Sequence, residues 1–236
     1  MKLIVLGCSG PYPAAGGATS GYLLEADRKR FLLDCGSGVL SQLRKRMDPC
    51  DLSAVFLTHT HWDHMCDLFV LQYELEKNRC SLPLYVPEET DAAPLALLSG
   101  NAFHIIRYGR ETLEFDNVSV DSCPVSHPVP CRALRFTAAG KSFVYTGDAA
   151  TSEGLESFCR DIDLLLADSA FLADEWHPGV PHMHAAMAAK LAADCRADKL
   201  VVTHFPPHTA RERIVGEARE VFANTVPAEI GLQIML

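Results

Sequence analysis

Long apolar segments are absent from this chain of 236 residues, and basic residues are few. A membrane-spanning helix needs about 20 consecutive, mostly apolar residues, so none is expected. The 21 Lys and Arg residues are outnumbered by 30 Asp and Glu, which gives a formal net charge of −9. This charge opposes an extended contact with a nucleic-acid backbone. Linkers rich in Pro, Gly or Ser are also missing, so we expect one domain over residues 1–236.

Cysteine pairs with C-x-x-C spacing are absent as well, although the chain has nine cysteines. Their odd number and their scatter through apolar segments predict reduced core thiols of a cytosolic protein. The first six residues predict a strand and not a signal peptide, because the apolar run is short and the segment Gly7–Pro13 interrupts it. We therefore expect a cytoplasmic protein with no membrane contact.

Metal ligands are concentrated in the motif His59-Thr60-His61-Trp62-Asp63-His64. The motif follows Ala54–Thr58, a short apolar run that predicts a buried strand, so it is expected on the loop after that strand. Neutral imidazole suits zinc, and a carboxylate can bind or bridge a second ion. Four such ligands within six residues predict a metal site rather than a polar turn.

Three further candidate ligands, His127, Asp148 and His204, each stand at or just past the C-terminal end of a predicted strand. Strand ends that gather at one edge of a sheet assembly would bring these side chains close to the histidine motif. For each residue taken alone, a capping or core role is the alternative.

The motif H-x-H-x-D-H, followed by a His, an Asp and a His, resembles the metallo-β-lactamase superfamily over essentially the whole chain. The resemblance implies an α/β fold, namely an αββα sandwich of two mixed sheets flanked by helices, with two divalent metal ions at one edge. It assigns one ion to His59, His61 and His127, the other to Asp63, His64 and His204, and the bridging position to Asp148. The ions are expected to be Zn²⁺, with Mn²⁺ or Fe²⁺ as alternatives.

An Asp at the bridging position resembles the glyoxalase II, lactonase and RNase Z branches rather than the true β-lactamases. Three segments, Leu32–Gly38, Ala167–Phe171 and His182–Ala185, are similar to RNase Z segments. The long arm with which RNase Z grips tRNA is missing, since only a predicted hairpin separates the third His from the bridging Asp. The chain therefore resembles armless relatives that act on small phosphodiesters, and we expect no extended nucleic-acid footprint.

The resemblance implies a phosphodiesterase in which a hydroxide shared by the two ions attacks phosphorus. Asp63 is expected to orient the water in addition to binding metal. His182, steadied by Asp168 at the position of the RNase Z Glu, is the candidate acid for the leaving group. A histidine at a helix start with a purely structural partner is the alternative for His182.

Other functions stay open at this point. Two divalent ions, two aspartates and one hydroxide sum to about +1, which favours a small anionic substrate. Hydrolysis of a thioester or lactone, as in glyoxalase II or the lactonases, is the main alternative. A tRNA 3′-processing endonuclease and a non-enzymatic metal-binding protein are less favoured. The resemblance is also compatible with a homodimer.

The remaining pattern predicts two similar halves, each β-rich at first and then mixed. Trp176 either walls a substrate pocket or packs as an ordinary aromatic residue. Predicted strands include 19–25, 30–34, 82–86, 131–137 and 141–145, and predicted helices are 39–46, 66–77, 92–98, 153–160, 182–193 and 210–222.

Overall fold

A computed structural model of the chain describes residues 1–98 and 101–236. Contacts group the chain into two compact units, residues 1–109 with 229–235, and residues 110–228 with 236. Each unit contains one mixed seven-stranded sheet with helices packed against its strands or connections. The prediction of a single domain stays a prediction, because grouping by contacts does not show whether either unit folds alone.

The sheet of the first unit begins as an antiparallel meander and continues as parallel strands. Its strands are β1 (Lys2–Gly7), β2 (Gly21–Ala26), β3 (Lys29–Leu33), β4 (Ala54–Phe56), β5 (Leu82–Pro87) and β6 (Phe103–Tyr108), with β14 (Gln233–Met235) beside β1. In the central strands, Phe31–Leu33 of β3 and all of β4 are apolar and buried on both faces, as is usual for parallel strands.

The helices of the first unit lie where they were predicted, but α4 is three residues shorter than predicted and the ligand motif contributes an additional helix. They are α1 (Val39–Arg44), α2 (Trp62–Met65), α3 (Leu68–Asn78) and α4 (Ala92–Leu95), with a 3₁₀ turn at Pro49–Asp51. The motif was expected on a loop, but its second half lies on α2. His61 is extended and precedes that helix, and the N–H of Cys66 donates to the carbonyl of Trp62 to close the turn.

Cys50 and Cys80 form a disulfide with a Cα–Cα distance of 6.0 Å, which corrects the expectation that all nine cysteines are reduced. The bond joins the 3₁₀ turn to the segment just after α3. The seven other cysteines are free, and five of them are buried. The sequence did not indicate the pair, because 30 residues separate the two sulfurs along the chain.

The sheet of the second unit also combines a meander with parallel strands, in the order β13-β12-β11-β10-β9-β8-β7. These strands are β7 (Leu113–Phe115), β8 (Val118–Val125), β9 (Cys131–Ala138), β10 (Lys141–Tyr145), β11 (Leu164–Asp168), β12 (Lys199–Thr203) and β13 (Thr225–Pro227). Strands β9 and β10 form the predicted hairpin around the turn at residues 139–140, and strands β10 to β13 run parallel.

Three helices complete the second unit, and the largest difference from the prediction is at the start of α6. They are α5 (Leu155–Phe158), α6 (Ala185–Asp194) and α7 (Arg211–Val221). The helix predicted from His182 begins at Ala185, because His184 is extended and pairs with Phe171 in an isolated parallel bridge. The N–H of Ala185 then donates to the carbonyl of Phe171. His182 therefore lies on the segment before the helix.

No helix in the described part of the chain combines the length and the hydrophobicity that a bilayer-spanning helix requires.

We expect thiol titration of the unfolded, unreduced protein to detect seven thiols, and nine after reduction, because Cys50 and Cys80 are joined. Cys50→Ser should lower the free energy of unfolding by roughly 2–4 kcal/mol under oxidising conditions. The same substitution should matter little under reducing conditions. Nine titratable thiols in the unreduced protein would contradict the pairing.

Candidate functional site

In the first unit, Asp34 organises two of the motif histidines. Asp34 is fully buried and follows β3 directly. Its carboxylate accepts from the backbone N–H of Thr58 at 2.8 Å and lies 2.8 Å from Nδ1 of His64. Because a carboxylate only accepts, Nδ1 of His64 must carry the proton, and its Nε2 atom keeps a lone pair for a metal ion.

The same carboxylate fixes His59 through Thr58. The Thr58 hydroxyl donates its one proton to Asp34 at 2.9 Å, and its oxygen lies 3.0 Å from Nδ1 of His59. The hydroxyl can then only accept from His59, so Nδ1 of His59 is protonated and Nε2 is the basic nitrogen. The ring centroids of His59 and His64 are 4.1 Å apart, and those of His59 and His61 are 4.7 Å apart. One buried carboxylate thus orients two candidate ligands.

The backbone around Asp34 is tied to the helix that carries Asp63 and His64. The N–H of Cys35 donates to the carbonyl of His64 at 2.7 Å. A Cβ atom at Gly36 would lie 1.8 Å from the carbonyl oxygen of Asp63, so only glycine permits this approach. Oδ2 of Asp63 lies 3.6 Å from Nε2 of His64, which places a carboxylate beside a basic nitrogen.

In the second unit, Asp148 is surrounded by three imidazoles. Asp148 is 2% exposed. One of its oxygens lies 3.3 Å from Nδ1 of His204, and the other lies 3.9 Å from Nε2 of His127 and 3.8 Å from Nδ1 of His182. His127 donates from Nδ1 to the carbonyl of Pro181 at 3.1 Å, which leaves Nε2 as its basic nitrogen. The predicted ligands of this unit are therefore brought together.

His182 and Asp168 form the close pair that the sequence suggested. Asp168 ends β11, is fully buried, and accepts from Nδ1 of His182 at 2.8 Å and from the N–H of Ala149 at 3.1 Å. Burial raises the pKa of the Asp168 carboxyl; His182 opposes this rise, and Asp148 adds to it. Since Nδ1 of His182 donates to Asp168, its Nε2 atom is the one available for proton transfer.

Two of these residues adopt backbone conformations that are uncommon outside glycine. Asp34 has a φ of 57° and His204 has a φ of 63°, and each directly follows a strand of a parallel pair. Asp and His tolerate this left-handed region better than most residues. Such conformations persist where the surrounding contacts over-determine them, which is common at functional sites.

The donor atoms of each unit fit a divalent transition ion. Imidazole nitrogens and carboxylate oxygens are the ligands that Zn²⁺, Mn²⁺ and Fe²⁺ accept. In the second unit, one ligand atom from each of Asp148, His182 and His204 lies within 4.8 Å of the others. In the first unit, Nδ1 of His59 and Nδ1 of His64 donate hydrogen bonds, so the Nε2 atom of each ring is unprotonated. The assignment of seven residues to one two-metal centre stays a prediction.

Two roles in these clusters were not predicted from the sequence. Asp34 was noted only as part of a segment similar to RNase Z, although an aspartate at the end of a predicted strand is the same signal that indicated Asp148. His182 was predicted to be an acid or a structural histidine, whereas its distance from Asp148 also makes it a candidate ligand. The sequence contains no signal for the second role, because the distance depends on the fold.

The family model described as the β-lactamase superfamily domain matches residues 29–205 of the chain. The chain belongs to this superfamily. It is 33% identical over 234 residues to the probable metallo-hydrolase YhfI of Bacillus subtilis (strain 168), with 96% of each chain covered. The crystal structure of YhfI, a metallo-β-lactamase fold protein, superposes with a TM-score of 0.94 at 31% identity, covering 99% of this chain and 98% of that one.

Two more distant structures share the fold. The short form of human tRNase Z superposes with a TM-score of 0.82 at 20% identity, covering 100% of this chain and 99% of that one. A diphosphatase from the PhnP family gives a TM-score of 0.76 at 20% identity, with 100% and 97% covered. The predicted fold class, two mixed sheets flanked by helices, is confirmed. Family membership and the His and Asp clusters support a metal-dependent hydrolase.

Asp34→Asn should weaken metal binding by about 10- to 100-fold, the usual cost of losing a group that orients a ligand. The N–H of Thr58 and Nδ1 of His64 bond to different oxygens of Asp34, and in Asn one of these oxygens is replaced by an NH₂ group that only donates. Competition with a chelating indicator would measure the affinity. Asp67→Asn is the matched control, because this half-buried carboxylate accepts from the N–H of Leu40. Unchanged affinity in Asp34→Asn would refute the orienting role.

Proposed function

We propose that the chain is a dinuclear metal-dependent phosphodiesterase that acts on small phosphodiesters or short nucleotides. The observation that carries the proposal is the His182–Asp168 pair beside Asp148, with 2.8 Å between Nδ1 and the carboxylate. A phosphodiester with an alkoxide leaving group needs a proton from such an acid. A thiolate leaving group has much less need of one, so the pair favours phosphodiesters over thioesters.

The proposal assigns the metal ligands as the superfamily resemblance does. His59, His61 and His127 would hold one ion, Asp63, His64 and His204 the other, and Asp148 both. Zn²⁺ is the proposed metal, with Mn²⁺ and Fe²⁺ as alternatives. When bound, two such ions supply charge stabilisation for the phosphoryl oxygens and lower the pKa of a bound water.

The protein's own acid is His182. Its Nδ1–H bond to Asp168 holds the ring in one orientation, and the negative carboxylate stabilises the imidazolium form. The proton on Nε2 can then pass to the leaving oxygen, which converts the imidazolium into neutral imidazole. The side chain of His182 is 15% exposed, so the proton can be replaced from solvent after turnover. Asp63 would orient the attacking water through its carboxylate.

The proposed substrate is small. The described residues between His127 and Asp148 contain only β9, β10 and their connections, so an arm for gripping tRNA does not fit there. The formal charge of −9 repels a long polyanion. We therefore propose a small anionic substrate and no extended nucleic-acid footprint.

The proposed location is cytoplasmic, which five buried cysteines outside the disulfide support, whereas the Cys50–Cys80 disulfide is more typical of oxidising compartments. A homodimer and the absence of membrane contact stay predictions.

Purified protein should contain close to two transition-metal ions per chain and should hydrolyse bis(p-nitrophenyl) phosphate. Asp148→Ala should lower metal occupancy and abolish hydrolysis, because Asp148 contacts three imidazoles and serves both ions in the proposal. Elemental analysis and a colorimetric assay would measure both quantities. Asp161→Ala, which removes an exposed carboxylate paired with Arg196, is the control.

The same assay should include a thioester, a lactone and a precursor tRNA. Faster turnover of the thioester or lactone would favour the glyoxalase II or lactonase alternative. Efficient, site-specific removal of a tRNA 3′ trailer would favour the processing endonuclease. Metal binding without turnover of any substrate would favour a non-enzymatic metal-binding protein.

His182→Ala should reduce hydrolysis of a nucleotide phosphodiester by about 10²–10⁴-fold, the usual contribution of a general acid. Hydrolysis of a p-nitrophenyl ester should fall much less, because p-nitrophenolate is a stable leaving group. Asp168→Asn should show the same selectivity in milder form. Metal content must be measured alongside, since lost metal would instead identify His182 as a ligand. Equal losses on both substrates with full metal would contradict the acid role. His104→Ala, an exposed histidine on β6, is the control.

A further inference from the structure

A cavity of 330 Å³ in the second unit is formed by loops that adjoin the candidate site. Residues 126–128 include His127, residues 150–151 follow Asp148, and the third wall, Trp176 with residues 178–181, leads directly into His182. The N–H of Ala150 donates to the carbonyl of Ser126 at 2.8 Å, which joins two of these walls. A substrate held at Asp148 would therefore have this cavity beside its reacting phosphate.

The lining of the cavity suits a neutral ring. Among the described residues that form it, none is Asp, Glu, Lys or Arg, and most are apolar. Trp176 offers an indole face, Val180 and Pro181 offer aliphatic surface, and Ser126 and Thr151 offer hydroxyls. The volume is near the lower end of the roughly 300–1,000 Å³ typical of small-molecule pockets. It has room for one ring system rather than for a chain of nucleotides.

Trp176 is held in place by bonds at the edge of its ring. Its Nε1–H donates to the carbonyl of His182 at 3.0 Å. Its ring packs edge to face against His184, with centroids 5.6 Å apart. These contacts hold the indole ring in one orientation. Because its N–H group already donates to His182, a ligand would contact the ring and not this group. A ring that is already ordered loses little entropy when a ligand stacks on it.

A carboxylate from α7 anchors the loop that carries Trp176. Glu217 accepts from the N–H of Ala173 at 3.0 Å and from the N–H of Ala186 at 3.1 Å. It also lies 3.5 Å from Nδ1 of His184. One side chain therefore joins the start of the pocket loop to the start of α6, in addition to backbone bonds within the loop such as that from the N–H of Val180 to the carbonyl of His177.

We infer that this cavity binds the nucleobase of a nucleotide phosphodiester, with Trp176 as the stacking wall. The inference rests on the proposed phosphodiesterase function and names its substrate class. A nucleobase is a neutral planar ring with polar edges, and it reaches the site attached to a phosphodiester. Trp176 is then a specificity-determining residue, and the hydroxyls of Ser126 and Thr151 are available to the edge of the base.

The kinetic test compares two substrates that differ only in the base, the methyl ester of adenosine 5′-monophosphate and the methyl ester of ribose 5-phosphate. Trp176→Ala should lower kcat/KM for the adenosine ester by roughly 5- to 150-fold, chiefly through KM, as expected for loss of base stacking. The ribose ester should be little affected. Trp176→Phe should keep most of the preference for the base, because it retains a ring but lacks the N–H bond to His182.

Two kinetic outcomes would overturn the inference. Equal losses on both esters in Trp176→Ala would show that the residue acts on the site through His182. A loss in Trp176→Phe as large as that in Trp176→Ala would assign its role to the N–H bond and not to the ring.

A binding measurement separates this inference from the proposed function. The chain has two tryptophans, so Trp62→Phe leaves Trp176 as the only indole fluorophore. Adenosine 5′-monophosphate should quench its fluorescence with saturation, and ribose 5-phosphate should not. If neither ester is hydrolysed but the quenching occurs, the proposed function fails and the base pocket stands. If the esters are hydrolysed and no quenching occurs, the base pocket fails and the proposed function stands.

Discussion

Burial of carboxylates is the constraint on which the candidate site depends. Asp34, Asp148 and Asp168 are each at most 2% exposed, and an isolated buried carboxylate is very unfavourable. Asp34 accepts from the backbone N–H of Thr58 and from the imidazole of His64, and one oxygen of Asp168 accepts from the N–H of Ala149 and from the imidazole of His182. Those bonds decide which nitrogen of His64 and which nitrogen of His182 is protonated. The basic nitrogens are therefore set by the protein, before any metal ion arrives.

The sequence predicted the parts of this arrangement that depend on local spacing. The motif from His59 to His64, the strand before it and the β9–β10 hairpin could be predicted because periodicity and turn residues specify them. The position of His182 before α6 could not be predicted. His184 is extended and pairs with Phe171, so α6 begins only at Ala185. The Cys50–Cys80 bond likewise depends on tertiary packing across 30 residues. The family resemblance, not periodicity, suggested which ligands belong together.

The chain carries a formal charge of −9, and this total includes the buried carboxylates of the candidate site. Bound divalent ions would reverse the sign locally, so attraction of an anion would act over a short range. The cavity beside His127 adds no Lys, Arg, Asp or Glu among its described lining residues. Recognition of the rest of the substrate would then depend on shape and stacking.

Part of the candidate site lies on sheets, whereas the cavity walls, which include His127, lie on loops. His204, a candidate ligand, and Asp34, which orients two others, directly follow strands within sheets. The cavity walls lie on loops, and the loop with Trp176 is anchored through Glu217 on a separate helix. Mutations in these loops can reshape the pocket while the strands that hold the ligands stay intact. Such a scaffold can acquire new substrates in small steps, because selection can vary specificity without first rebuilding the catalytic apparatus.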